Sequence, residues 1–194
     1  MGKIVLVTGA ARSGKSAFAE NLAISSGQEV VYCATAQAFD LEMRDRIRLH
    51  RLRRPEEWST LEEPLKVPES LKEYTGAARV LLLDCITLWI SNLLLAELDD
   101  QGEPSPGCEQ RIEARIEDLI KTVRRGEASM ICVSNEVGWS LVPENKLGRL
   151  YRDIAGKANQ ILAKAAEQVY LVVAGYPMEI KASGEKILAE VRAK

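Results

Sequence analysis

The stretch IVLVTGAARSGKS, residues 4–16, constrains the chain more than any other. Ile4–Thr8 is a short apolar, β-branched run, and an amphipathic helix is predicted from Ser16 to Ile24. Between them, Gly9, Ala10, Ala11, Arg12, Ser13, Gly14, Lys15 and Ser16 match G-x-x-x-x-G-K-[ST]. Strand, glycine turn and helix in this order make a phosphate loop. The glycines let backbone N–H groups turn inward at the positive end of the helix dipole. In such a loop Lys15 reaches the β and γ phosphates, and the Ser16 hydroxyl is a ligand of Mg²⁺.

Four further apolar runs follow, at Val30–Ala34, Val80–Asp84, Met130–Ser134 and Val169–Val173. Hydrophobicity that is continuous rather than alternating marks a strand covered on both faces. Helical periodicity fills the gaps, with Ile112, Ile116, Leu119, Ile120 and Val123 on one face. Leu147, Leu150, Ile154, Ala158, Ile161 and Leu162 lie on another. Alternation of this kind predicts an α/β fold with a mostly parallel, doubly wound sheet. The expected architecture is a single-domain P-loop NTPase fold, RecA-like, over residues 1–181, with room for an antiparallel C-terminal strand and an extension at 182–194. Arg54–Pro68, with three prolines, is expected to wander over the surface, and the acidic Asp99–Gly107 to form an exposed, mobile loop. The helix Ile86–Leu98 carries more large apolar side chains than one sheet face needs, which suggests a subunit interface.

A nucleotide site of this kind needs an acid at the end of a neighbouring strand. Val80-Leu-Leu-Leu-Asp84 supplies it, with Asp84 placed to hold the magnesium directly or through water. Composition narrows the partners. With 194 residues, 46% of them apolar, the chain can build a core, and its net charge of −2 offers no field for nucleic acid or an anionic membrane. No segment has the length and apolarity of a membrane span. Cys33, Cys85, Cys108 and Cys132 show no C-x-x-C pairing, so zinc gains no support and a reduced cytoplasm fits.

The single histidine, His50, sits in MRDRIRLHRLRR (residues 43–54) among six arginines. Three readings compete: a solvated basic helix face, a nucleic-acid patch disfavoured by the acidic remainder of the chain, and a nucleophile. Neutral imidazole attacks phosphorus well, and surrounding guanidinium groups disfavour its protonation. The same arginines would neutralise a triphosphate.

The chain resembles the bifunctional adenosylcobinamide kinase / adenosylcobinamide-phosphate guanylyltransferase family of cobalamin synthesis. The likeness runs from about Ile4 to Lys181, through VTGAARSGKS, YCATAQAFDLEMRDRIRLHRLRRP, LLLDCITLWISNLL and, most specifically, NEVGWSLVPENKLGRLYRDIAGKANQILAKAAEQVYLVVAG. It implies two reactions at one nucleotide site. A γ-phosphoryl group passes from ATP or GTP to the aminopropanol hydroxyl of adenosylcobinamide. GMP then passes from GTP, through a guanylyl-histidine, onto that phosphate. The guanylylated residue would be His50. Nucleotide contacts would fall on Gly9–Ser16, on Ala34, Thr35 and Ala36, on Arg51, Leu52, Arg53 and Arg54, and on Glu62 and Asp84. Some members carry two adjacent histidines where this chain has Leu49 and His50, but the Arg46-Ile47-x-x-His50 spacing is kept. The resemblance also implies a homo-oligomer, a trimer.

Two other readings share the phosphate loop: a different small-molecule kinase with His50 a bystander, and a nucleotide-binding regulatory protein. Against the second, Asn145-Lys146-Leu147-Gly148 lacks the Asp of a guanine-reading N-K-x-D motif. Asn135 and Glu136, after the fourth run, and Trp139 beside them are candidates to face the corrinoid.

Overall fold

A computed structural model describes residues 1–37, 48, 51–52 and 54–192. Five strands fall on the five apolar runs: β1 (Ile4–Thr8), β2 (Val30–Ala34), β4 (Val80–Asp84), β5 (Ser129–Val133) and β6 (Gln168–Val173). Two more, β3 (Ser59–Glu62) and β7 (Tyr176–Glu179), complete a seven-stranded sheet in the order β3-β2-β4-β5-β1-β6-β7. All neighbours are parallel except β6 and β7, which pair antiparallel across a turn at Ala174 and Gly175.

The helices are α1 (Lys15–Ser25), α2 (Val67–Leu71), α3 (Ile86–Ala96), α4 (Cys108–Arg125), α5 (Lys146–Ala165) and α6 (Lys181–Arg192). Side chains alternate across the sheet, so each central strand feeds two cores. Ile4, Leu6, Leu81, Leu83, Met130 and Cys132 pack beneath α3, α4 and α5. Val7, Tyr32, Val80, Leu82, Ile131 and Val172 pack with Ala19 and Ala23 of α1 on the other face. This two-sided burial is the reason the runs are continuous rather than alternating. The helical faces also form as read: Ile112, Ile116, Leu119 and Val123 are buried, as are Ile154, Ala158 and Leu162.

Three expectations are corrected. Arg54–Pro68 does not simply wander, because Ser59–Glu62 pairs parallel with Val31–Ala34 and becomes the sheet edge. Past it, the Glu63 carboxylate accepts the Leu65 and Lys66 N–H groups and the Ser70 hydroxyl, which starts α2. The loop at 99–107 is exposed, yet it is tied down. Asp99 Oδ1 accepts the N–H groups of Gln101 and Glu103, and Arg111 donates to Glu97 beneath it. The large side chains of α3 serve the interior rather than an interface. Ile86, Trp89 and Ile90 are fully buried, Leu94 is nearly so, and Leu95 is exposed. Packing by α4 and α5 covers them, and Trp89 Nε1 donates to the Leu65 carbonyl at 3.0 Å. All four cysteines are free and buried, as small core residues.

Candidate active site

The C-terminal ends of β1, β2, β4 and β5 open onto one cleft of about 1180 Å³. This is the edge where ligands bind in open α/β sheets. The phosphate loop forms one wall. Gly9 has φ 147°, and a Cβ there would meet the Val172 carbonyl oxygen at 2.4 Å, so no other residue fits. Gly14, at φ 98°, is the left-handed residue from which α1 starts, and Arg12 between them is left-handed as well (φ 57°). The loop is held from outside by the Gly175 N–H donating to the Ser13 carbonyl at 2.8 Å. Lys15 is almost fully buried, with Nζ donating to the Ala10 carbonyl at 2.6 Å. Burial lowers its pKa, and the neighbouring Cys85, Asp84 and Glu136 oppose that shift.

Asp84 ends β4 on the opposite wall and accepts the Tyr32 hydroxyl at Oδ2, 3.0 Å away. Burial first, then the Asp84 charge, push the Tyr32 phenol upward, so it stays a neutral donor. The Arg54 guanidinium lies 3.2 Å over the centre of the Tyr32 ring, and Arg51 pairs with Glu62 of β3 at 3.0 Å. Ser16 and Asp84 both line the cleft. One hydroxyl and one carboxylate are hard oxygen donors, and they suit a Mg²⁺ ion that takes its other ligands from phosphate and water. Among the described residues no group of three or more His, Cys, Asp or Glu side chains is placed to hold a metal.

The third wall follows β5. Asn135 Nδ2 donates to the Thr87 hydroxyl at 2.6 Å, and Tyr151 to the Thr87 carbonyl at 3.2 Å. The Glu136 carboxylate accepts Thr8 Oγ1 at 2.5 Å and Asn159 Nδ2 at 3.0 Å, while its N–H donates to the Gly9 carbonyl. Asn159 also accepts the Ser134 hydroxyl at 2.6 Å. This buried chain locks the start of the phosphate loop to the end of β5.

Of the residues expected at the site, Ala11 to Ser16, Ala34, Ala36, Arg51, Arg54, Glu62 and Asp84 line the cleft. Gly9 and Ala10 shape the loop behind them. Thr35 does not face it: fully buried, its hydroxyl donates to the Cys85 carbonyl and accepts the Cys85 N–H, latching β2 to the start of α3. Leu52 is exposed and outside the lining. His50 and Arg53 lie outside the described residues. Tyr32 and Asn159 were not anticipated. Each leaves a trace in the sequence, a hydroxyl inside the apolar run VVYCA and an amide on the apolar face of Ile154, Ala155, Ala158 and Leu162. Trp139 is exposed beyond the third wall.

Phosphate loop, strand-end aspartate and parallel sheet together define a nucleotide-binding α/β protein of the P-loop class. A solved structure from Pyrococcus horikoshii OT3 has this fold, with a TM-score of 0.54 at 10% identity, covering 93% of this chain and 86% of that one. Residues 5–180 match the model of the cobinamide kinase / cobinamide phosphate guanyltransferase family, and the chain belongs to that family. It is 46% identical over 176 residues to the bifunctional adenosylcobalamin biosynthesis protein CobP of Pseudomonas aeruginosa, covering 91% of this chain and 96% of the relative. It is 44% identical over 184 residues to the bifunctional adenosylcobalamin biosynthesis protein CobU of Escherichia coli K12, covering 92% and 99%.

Proposed function

We propose that the protein phosphorylates the aminopropanol hydroxyl of adenosylcobinamide and then converts the product to adenosylcobinamide-GDP. The observation that carries the reading is the single cleft, which gathers Lys15, Ser16, Asp84, Arg51 and Arg54 in a chain of this family. In the kinase step the hydroxyl oxygen bonds to the γ phosphorus of ATP or GTP. The bond to the β-phosphate oxygen breaks, and the hydroxyl proton leaves. Lys15 turns from the Ala10 carbonyl toward the β and γ phosphates, and the loop N–H groups of residues 12–16 take up charge. Ser16 and Asp84 hold Mg²⁺, which supplies charge neutralisation at the phosphates when bound.

In the second step a ring nitrogen of His50 bonds to the α phosphorus of GTP and pyrophosphate leaves. The corrinoid phosphate oxygen then displaces the histidine, returning it free. Arg51 and Arg54 stand where they neutralise the triphosphate. Four buried free cysteines support a reducing cytoplasm as the place of work. Exposed Val173 at the end of β6, Tyr176 and Met178 of β7, and Ile187, Leu188 and Val191 on α6 support association into a homo-oligomer, for which the family resemblance implies a trimer.

The test is incubation with GTP, Mg²⁺ and adenosylcobinamide, followed by mass analysis of the corrinoid. The reading requires a phosphorylated species and then a GMP-extended one. A phosphorylated corrinoid that is never extended would reduce the protein to a kinase, and an unchanged corrinoid would refute both steps.

A further inference from the structure

Tyr32 occupies a place in β2 where phenylalanine would pack equally well. Its ring lies in the core beneath α1, among Val7, Val80 and Leu82. Strand register explains where its hydroxyl goes. Ala34 pairs with Asp84, and Tyr32 pairs with Leu82, so Asp84 is its diagonal neighbour on β4, within reach of an aromatic side chain. The hydroxyl accordingly donates to Asp84 Oδ2 at 3.0 Å. That bond leaves Oδ1 of the carboxylate for other partners.

The other side of the ring is used as well. Arg54 lies on its face at 3.2 Å, and the Arg54 Nε is buried with no hydrogen-bond partner among the described residues. A guanidinium seated over an aromatic face keeps N–H groups for an anion, since the ring accepts none of them in a conventional hydrogen bond. Three residues earlier, Arg51 pairs with Glu62 of β3, so Arg51 and Arg54 each reach the sheet.

We propose that Tyr32 is a positioning residue serving both halves of the cleft: its hydroxyl orients Asp84 for a divalent cation, and its ring seats Arg54 for the triphosphate. The inference rests on the reading of Asp84 as a cation ligand. It explains why a phenol stands in an otherwise apolar strand, and it joins the cation-holding side of the site to Arg54 through one side chain.

Two double-mutant cycles test it. The first measures Mn²⁺ affinity by electron paramagnetic resonance at saturating GDP for Tyr32→Phe, Asp84→Asn and the pair. Loss of a group that orients a ligand weakens metal binding about tenfold or more, so Tyr32→Phe should do so alone and add less than about twofold on top of Asp84→Asn. The second measures affinity for inorganic tripolyphosphate by calorimetry for Tyr32→Leu, Arg54→Ala and the pair. The two single losses should not multiply, because both remove the same stack.

Mn²⁺ affinity within about twofold of wild type in Tyr32→Phe, while Asp84→Asn weakens it, would overturn this inference and leave the reading of Asp84 standing. Unchanged affinity in Asp84→Asn would remove that reading, and the inference with it. Losses that multiply in the second cycle would overturn the shared seat for Arg54. Because Tyr32→Phe keeps the packing, the first cycle decides the Asp84 half even if Tyr32→Leu does not fold, and unchanged tripolyphosphate affinity in Arg54→Ala would overturn the Arg54 half without any change at Tyr32.

Discussion

Lys15 concentrates the chemistry of the site into one residue. The residue is 6% exposed with its ammonium folded back on the Ala10 carbonyl, and burial lowers its pKa against the pull of Cys85, Asp84 and Glu136. A desolvated cation adds little to folding, and the proposed function gives Lys15 its role at the phosphates. Lys15→Ala is therefore expected to lower kcat for γ-phosphoryl transfer by roughly 10²–10³-fold, as loss of a charge-stabilising donor does. The Tm should stay at wild type or rise. A variant that loses activity in step with its Tm would assign Lys15 a structural role instead. At this scale the sequence was informative where chemistry is written in a fixed spacing, as from Gly9 to Ser16. It was silent where chemistry comes from tertiary juxtaposition. Nothing in the spacing of Thr8, Glu136 and Asn159 tells that one hydrogen-bonded chain joins them across the start of the phosphate loop.

Elements follow the same logic. β1, β2, β4, β5 and β6 could be read because burial on both faces demands unbroken apolar runs. β3 could not, since Ser59-Thr60-Leu61-Glu62 is an edge strand with polar side chains largely in solvent. β7 carries Pro177 and is exposed, which only an edge tolerates. Helix α2 is too short for periodicity to reveal it; buried Val67 and Leu71 anchor it in the core, and an ion pair adds to that. Glu69 receives two hydrogen bonds of 2.6 Å from Arg115 of α4, which hold its carboxyl down at about 2. A carboxyl depressed in the folded state contributes stability above its unfolded pKa and loses it as pH falls through the folded one. The contribution should thus be complete above about pH 4.5 and vanish toward pH 2. Since the Glu69 side chain is 47% exposed, solvent screening limits it to about 1 kcal/mol or less. Glu69→Gln should lower Tm by about 2–4 °C at neutral pH and flatten the acid limb of the Tm–pH curve between pH 5 and 2. An acid limb identical to wild type would mean that the pair contributes nothing to folding.

On the scale of the whole molecule, the parallel sheet brings four strand ends to one edge and so places loop, aspartate and arginines around a single cleft. Its outer strands serve different ends. β3 receives Arg51 through Glu62, while the turn before β7 braces the phosphate loop through Gly175. Lys181, at the start of α6, donates to the Ala163, Lys164 and Ala166 carbonyls and closes the end of α5. The remainder of α6 buries no residue. The proposed function asks this cleft to bind two triphosphates in turn, one attacked at γ by an alcohol and the next at α by an imidazole. With one histidine in the chain, the second attack has one address.

The most direct measurement follows protein-bound label from α-³²P GTP and from γ-³²P GTP in wild type and His50→Ala. The account predicts an α-labelled, acid-labile and base-stable adduct on wild type, no adduct from the γ label, and no adduct on His50→Ala. Label that persists on His50→Ala, or that comes from the γ position, would contradict it.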